Sequence, residues 1–134
     1  MIFGNTVKGN QGVSGIYVDG GLADITGNVI EENPKWGIYG KSGTQLTIGG
    51  NTEVQKNTIR NNKIGIQLEG VGTVQQPSTI TGNIIQDNTE DGIVVNLGTI
   101  ATIGGPTSEM ANSILNNGDS GITLFYANTD AKIL

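Results

Sequence analysis

The sequence has no cysteine and no histidine among its 134 residues. Without cysteine the chain has no disulfide, no thiolate nucleophile and no cysteine-ligated zinc or iron–sulfur site. Without histidine it lacks the imidazole base of most hydrolytic triads and the commonest ligand of transition metals. We therefore predict that the protein holds no metal ion and no cofactor.

Positive charge is also scarce, because twelve acidic residues stand against seven basic ones and give a net charge of -5. A phosphate backbone is repelled by such a chain, so we expect no nucleic acid among its partners. No apolar run approaches the ~18 residues of a membrane span. Residues 1–5 have neither the basic start nor the apolar core of a signal peptide. The cysteine-free composition nevertheless fits an extracellular or cell-surface protein, and we expect that location.

A short motif recurs five times along the chain. It consists of an asparagine, an aliphatic residue two positions later, a second asparagine and then a Gly-Ile pair. The first asparagines are Asn5, Asn28, Asn57, Asn83 and Asn112, and the second are Asn10, Asn33, Asn62, Asn88 and Asn117. A repeat of this length cannot bury its apolar face alone and must stack on its neighbour. The motif therefore predicts a solenoid that forms a single domain over residues 1–134.

Apolar and polar residues alternate within each copy, which is typical of a strand with one buried face. Four inward columns follow from this alternation: Val7, Ile30, Ile59, Ile85 and Ile114; Ile16, Ile38, Ile66, Ile93 and Ile122; Val18, Leu68, Val95 and Leu124, with a gap at Gly40; and Ile2, Ile25, Val54 and Ile80, with Met110 completing the set. The members of the fourth column mark the predicted starts of five coils.

The intervals between copies are long enough for a helix, so leucine-rich-type repeats are an alternative. Glycine and asparagine recur every few residues, however, and both disfavour helix interiors and suit turns. An all-β solenoid is therefore the better prediction. Asparagines at equivalent turns would then stack ~4.8 Å apart, each side-chain amide bonding the next. We predict that the ten asparagines form structural ladders.

A longer repeat of two coils overlies the short one. Thr47-Ile48-Gly49-Gly50 recurs as Thr102-Ile103-Gly104-Gly105, and both copies fall in the longest intervals. We expect these segments to project from one side of the solenoid as an extra turn. A phosphate-binding loop is a weaker interpretation, because no Lys-Ser/Thr pair follows the glycines.

The Asn-x-Ile-x-x-Asn…Gly-Ile units resemble the repeats of the right-handed parallel β-helix proteins of the pectate-lyase-like superfamily. The Thr-Ile-Gly-Gly segments are similar to β-helical segments of secreted or surface-anchored bacterial and archaeal proteins. The resemblance implies a right-handed, single-stranded parallel β-helix of about five coils. The superfamily includes lyases, hydrolases, epimerases, copper-maturation proteins and inert stalks, so the fold alone does not select a function.

The two ends of the chain are apolar, with Ile133 and Leu134 at one and Met1, Ile2 and Phe3 at the other. The stretch from Asn112 through the C-terminus to Asn5 of a second copy lies within the range of the repeat intervals. This spacing predicts closure on a whole number of coils. Neither end has a polar cap, so further β-helix coils, or copies stacked head to tail in a filament, are the expected partners. A monomer whose ends are blunted by loops is a third hypothesis.

One outward column contains aromatic rings: it runs through Tyr17, Tyr39, Gln67, Val94 and Thr123. Trp36 precedes Tyr39 by three residues. Flat exposed rings beside polar groups are a surface on which sugars stack. Tyr17, Trp36 and Tyr39 are therefore the candidate ligand-binding residues, with polysaccharide as the ligand. The alternative interpretation is that the rings only cover one another.

A second outward column alternates in charge: it runs through Lys8, Glu31, Arg60, Gln86 and Leu115. Lyases of the resembled superfamily abstract a proton with a basic residue beside a calcium-bound uronate, so the resemblance makes Arg60, the only arginine, a candidate. An exposed charge ladder is the alternative, and no aspartate cluster accompanies Arg60 to hold calcium.

The third outward column contains two acidic residues, Glu32 and Asp87. They are two coils apart, so their backbones are expected about 9.6 Å from each other. Inverting glycosidases place their carboxyl groups ~6.5–9.5 Å apart. Glu32 and Asp87 are therefore candidate catalytic residues, although acidic residues on one face of any solenoid offer such a pair.

Together these observations predict a structural or adhesive β-helix without catalysis, as a module of an extracellular surface protein or a head-to-tail filament. Polysaccharide lyase or glycoside hydrolase activity, in this chain or in a larger enzyme of which it is a fragment, is the alternative.

Overall fold

The computed structural model, which describes residues 1–125 and 129–134, is an all-β parallel solenoid of about five coils, as predicted. All strand pairings in this part of the chain are parallel. The strands are β1 (Ile2–Phe3), β2 (Thr6–Lys8), β3 (Ser14–Thr26), β4 (Val29–Glu31), β5 (Trp36–Gly49), β6 (Thr58–Arg60), β7 (Ile64–Glu69), β8 (Ser78–Thr81), β9 (Ile84–Gln86), β10 (Ile93–Asn96), β11 (Ile100–Ile103), β12 (Ser113–Leu115), β13 (Ile122–Leu124) and β14 (Asp130–Ile133). Short 3₁₀ helices span Glu53–Gln55 and Ser108–Met110. Neither described helix is long and apolar enough to cross a membrane.

The strands stack into three faces. Face 1 contains β2, β4, β6, β9 and β12. Face 2 contains the first halves of β3 and β5, followed by β7, β10 and β13. Face 3 contains β1, the second halves of β3 and β5, and then β8, β11 and β14. The long strands β3 and β5 therefore each run along two faces.

The interior is a continuous column of aliphatic side chains. The predicted first and second columns are confirmed, because their members pair in register from Val7 to Ile114 and from Ile16 to Ile122. Ile30, Ile59 and Ile85 are fully buried. β-Branched side chains suit this position because they pack well on a pleated surface.

The third column is also in register, and its gap has a physical cause. Gly40 pairs with Val18 on one side and Leu68 on the other. A Cβ atom on Gly40 would collide with Cδ1 of Leu46, which is buried in the interior. The leucine side chain thus fills the space that a larger residue at position 40 would take.

The fourth predicted column is wrong at two members. The register runs through Ile2, Ile25, Ile48, Ile80, Ile103 and Ile133. Val54 is instead 70% exposed in the first 3₁₀ helix, and Met110 lies in the second. Ile48 and Ile103 therefore occupy the inward positions that were predicted for Val54 and Met110.

The same observation corrects the prediction for the Thr-Ile-Gly-Gly segments. Ile48 and Ile103 are buried members of β5 and β11, so these segments do not project. Gly49 and Gly104 then turn the chain with φ angles of 85° and 86°, a conformation that favours glycine. The residues that lie outside the regular coil are those that follow, around the two 3₁₀ helices.

Face 3 contains one strand more than the other faces among the described residues, six against five. The chain therefore runs about a third of a coil beyond five full coils, and the predicted closure on a whole number of coils is wrong. The physical reason is that β1 and β14 both belong to face 3. If a second copy continued faces 1 and 2, its own β1 would have to lie beside β11 of the first copy. That position is already occupied by β14.

Candidate functional site

The first asparagines of the motif form a ladder along the solenoid. Asn5, Asn28, Asn57 and Asn83 each donate from the backbone N–H and from side-chain Nδ2 to Oδ1 of the asparagine in the next coil, over 2.9–3.4 Å. The remaining side-chain N–H bonds to backbone carbonyls, as between Asn57 and Ile25 at 2.8 Å. A single residue type thus satisfies the polar groups of a buried turn.

The second asparagines form an equivalent ladder. Asn10, Asn33, Asn62 and Asn88 donate in the same way to the next coil, with Asn117 as the last acceptor. Glycines of the Gly-Ile pairs lie against this ladder. A Cβ atom on Gly37 would be 2.9 Å from Nδ2 of Asn62 and 2.6 Å from the carbonyl oxygen of Gly65. The motif therefore requires glycine there because the asparagine amide occupies the space.

Both ladders have one polarity. Every donor lies in the coil nearer the N-terminus and every acceptor in the next. Within the described residues, Oδ1 of Asn5 and of Asn10 accepts no hydrogen bond, and the backbone N–H groups of Asn112 and Asn117 have no acceptor. One end of the solenoid thus presents acceptors and the other presents donors.

The charged outward column forms ion pairs. The Glu31 carboxylate, whose side chain is 9% exposed, accepts from Arg60 Nε at 2.8 Å and from Lys8 Nζ at 3.1 Å. These hydrogen bonds, that of Arg60 first, lower the pKa of Glu31 below 4.5. The pKa of Lys8 is raised by its bonds to Glu32 and Glu31. Arg60 therefore contacts a structural carboxylate.

Each residue in the column of Glu32 and Asp87 lies at a turn and has a left-handed backbone conformation. Gly9, Glu32, Asn61, Asp87 and Asn116 have φ angles between 52° and 58°. Glu32 pairs with Lys8 at 2.8 Å, and Asp87 accepts from Gln86 Nε2 at 3.0 Å. Among the described residues, no hydrogen bond or ion pair joins Glu32, Asp87 and Arg60 to one another, and no group of acidic side chains is placed to hold a metal ion.

Tyr17, Trp36 and Tyr39 form an aromatic cluster on face 2. The ring centroids of Trp36 and Tyr39 are 4.3 Å apart in a stacked arrangement, and those of Tyr17 and Tyr39 are 5.4 Å apart. Lys35 Nζ lies 3.9 Å from the Trp36 ring centroid, and Trp36 Nε1 donates to Gln67 at 3.0 Å. Trp36 is thus engaged by protein groups and supports Tyr39.

The hydroxyl groups of Tyr17 and Tyr39 each donate a hydrogen bond to a carboxylate. Tyr39 donates to Glu69 at 2.5 Å, and Tyr17 donates to Asp19 at 3.0 Å. Burial first, and then Glu69, raises the pKa of Tyr39 to about 12, while the bond to Asp19 raises that of Tyr17. Lys41 lies 3.7 Å from Asp19. The orientation of both rings is therefore fixed by polar contacts.

A shallow groove of about 370 Å³ lies beside these rings and is lined by Val13, Ser14, Tyr17 and Tyr39. We call it the aromatic groove. Tyr17 is 51% exposed, whereas Gln67 and Val94, farther along the same outward column, are buried by their neighbours. Ser14 Oγ is buried and has no hydrogen-bond partner among the described residues.

Sequence reasoning placed the two tyrosines in one column but missed Val13, Ser14, Gln67 and Glu69 as parts of the site. Alternation along β7 could have found Glu69, which lies two residues after Gln67 on the same face. Val13 and Ser14 precede the Gly-Ile pair, where no pattern marks them.

The fold and the stacked coils define the class of protein as a parallel β-helix. The family described as the right-handed beta helix region matches residues 1–134, and the chain belongs to that family. No curated protein and no solved structure matches the chain. Membership of this family establishes the fold. The function has to be argued from the residues of this chain.

Proposed function

We propose that this chain is a non-catalytic structural and adhesive module of an extracellular surface. In this role the β-helix couples end-on to further β-helix, and its side contacts polysaccharide. The observation that carries the proposal is the pair of asparagine ladders, which run through all five motif copies with a single polarity.

The polarity supports end-on coupling because the two ends are complementary. Acceptors on Asn5 and Asn10 match the backbone N–H donors of Asn112 and Asn117, for which no described residue is an acceptor. The direction is the one that every internal step of the ladders already uses. Apolar side chains accompany Asn112: Ile114, Ile122 and Ile133 border an open groove of about 250 Å³ that Asn112 also lines. Added coils would bury this surface.

Coupling to a second copy requires one adjustment. Because β1 and β14 both lie on face 3, one of them must leave its position before all three faces continue across the junction. We therefore expect a variant that lacks residues 1–4 to associate end to end more strongly than the full chain.

Sedimentation velocity and negative-stain microscopy test this expectation. The shortened variant should form linear oligomers, and adding Asn112→Ala and Asn117→Ala should abolish them. Circular dichroism checks that each variant stays folded. If the shortened variant remains a monomer at high concentration, coupling between copies is wrong.

The catalytic alternative has little geometric support, because Glu32 and Arg60 are engaged in ion pairs and Asp87 is exposed beside Gln86. We expect no turnover of neutral or acidic glycans by the purified chain. Turnover that disappears in a Glu32→Gln, Asp87→Asn double variant would overturn the non-catalytic assignment.

A further inference from the structure

We propose that the aromatic groove binds a neutral pyranose ring, which stacks on Tyr17. The inference rests on the polysaccharide contact of the proposed function and names its chemical class. Two features of the groove carry it: a fixed aromatic platform and a lining without charge.

The platform is ordered before any ligand arrives. Tyr39 is held by the stacked Trp36 ring and by Glu69, and Tyr17 is held by Asp19. Half of the Tyr17 side chain nevertheless remains exposed toward the groove, with the exposed Val13 beside it. A pyranose presents an apolar C–H face that packs on such a ring, and a fixed ring loses little conformational entropy on binding.

Charge around the groove favours a neutral sugar over an acidic one. The four lining residues are uncharged. The two nearby lysines are engaged, Lys41 with Asp19 and Lys35 over the Trp36 ring. The chain as a whole has a net charge of -5, which repels uronates and sulfated sugars. Asp19 and Glu69 retain oxygen lone pairs that can accept from sugar hydroxyls.

A proline-rich peptide is the other ligand that aromatic grooves bind. Such a peptide has few donors to offer Asp19 or Glu69. The two carboxylates beside the tyrosine hydroxyls therefore favour the sugar.

Trp36 provides the measurement, because it is the only tryptophan and stacks on Tyr39. We suggest titrating the full chain with three sets of probes while recording tryptophan fluorescence: neutral oligosaccharides of glucose, mannose, xylose or galactose; oligogalacturonate; and a proline-rich peptide. At least one neutral oligosaccharide should give a saturable change, and the other two probes should give none.

Three variants locate the binding. Tyr17→Ala should weaken it by about tenfold or more, whereas Tyr17→Phe, which keeps the ring, should stay within about threefold. Val54→Ala, an exposed position between faces 3 and 1, is the control and should bind like the unmodified chain.

The outcomes separate this inference from the proposed function. Binding of oligogalacturonate or of the peptide in place of the neutral sugars overturns the inference, as does neutral binding that survives Tyr17→Ala. If oligogalacturonate binds, the broader contact with polysaccharide stands. If no saccharide binds, that contact is also wrong, while the sedimentation test of end-on coupling is unaffected.

Discussion

Asn57 bonds to Asn83 in the next coil through two donors that share one oxygen. The Asn57 side-chain Nδ2 and backbone N–H lie 2.9 and 3.4 Å from Oδ1 of Asn83. Oδ1 of Asn57 in turn accepts both equivalent groups of Asn28. One fully buried side chain therefore joins three successive coils.

Replacing Asn57 by alanine should cost about 3–5 kcal/mol in the free energy of unfolding, because four hydrogen bonds of a buried side chain are lost. Asn5→Ala is the matched control, since Asn5 is exposed at the first step of the same ladder, and should cost less than about 1 kcal/mol. Urea denaturation measures both. Equal losses for the two variants would show that the ladder does not act through burial.

Gly37→Ala should destabilise the protein by about 1–3 kcal/mol, because the new methyl group would press on Asn62 and on the Gly65 carbonyl. Gly12→Ala is the control: its Cβ would meet nothing within 4 Å, and its φ angle is not left-handed. We expect that change to stay within about 0.5 kcal/mol of the unmodified chain. Thermal denaturation of both variants tests the steric account, which fails if Gly37→Ala is as stable as Gly12→Ala.

Glu31 should make stability depend on acid pH. Its pKa is lowered in the folded chain, so its contribution is complete above the ordinary value of 4.5 and is lost as pH falls through the lowered pKa. The melting temperature of the unmodified chain should exceed that of Glu31→Gln at neutral pH, and the gap should narrow below pH 4.5.

Glu53→Gln is the control for this series. Glu53 pairs with Lys56, but its side chain is 87% exposed, so solvent screens the pair. The melting temperature of Glu53→Gln should equal that of the unmodified chain at every pH. A gap for Glu31→Gln that does not change with pH would rule out the ion pairs as its cause.

Tyr39 should ionise only in strong alkali. Burial and Glu69 raise its pKa to about 12, so the folded chain keeps its proton while an unfolded tyrosine loses it near pH 10. Stability from this group is therefore present below pH 10 and is lost as pH rises toward 12. Titration of the phenolate absorbance, with circular dichroism to verify folding, should show that Tyr39→Phe removes a component that titrates near pH 12 and that Tyr17→Phe leaves it. An unchanged curve for Tyr39→Phe would contradict the buried contact with Glu69.

The sequence was sufficient to predict the inward columns in which one residue type recurs at a fixed distance from the same motif residue. Ile30, Ile59 and Ile85 always follow an asparagine by two positions, so their register needed no structure. Ile48 was left out of the fourth column, and Val54 was predicted in its place. The cause is the length of this coil, in which Asn57 follows Asn28 by 29 residues. The extra residues of that coil lie after Ile48, around the 3₁₀ helix, whereas the sequence pattern assigned the extra turn to the Thr-Ile-Gly-Gly segment itself.

The candidate site was predictable only in part, for a related reason. Strand register placed Tyr17 beside Tyr39, but the engagement of Trp36 by Lys35 and Gln67 depends on side-chain packing across coils. The pairing of Glu32 with Lys8 likewise depends on side-chain rotamers and on the left-handed turn at position 32. Period and spacing contain no information on either.

Hydrogen exchange of the asparagine side-chain amides, followed by NMR, tests most directly the central claim that stacked ladders hold the coils together. The buried amides of Asn28, Asn57, Asn83, Asn33, Asn62 and Asn88 should exchange slowly, and those of the exposed Asn5 and Asn10 should exchange quickly. Rapid exchange at all of these positions would contradict the account.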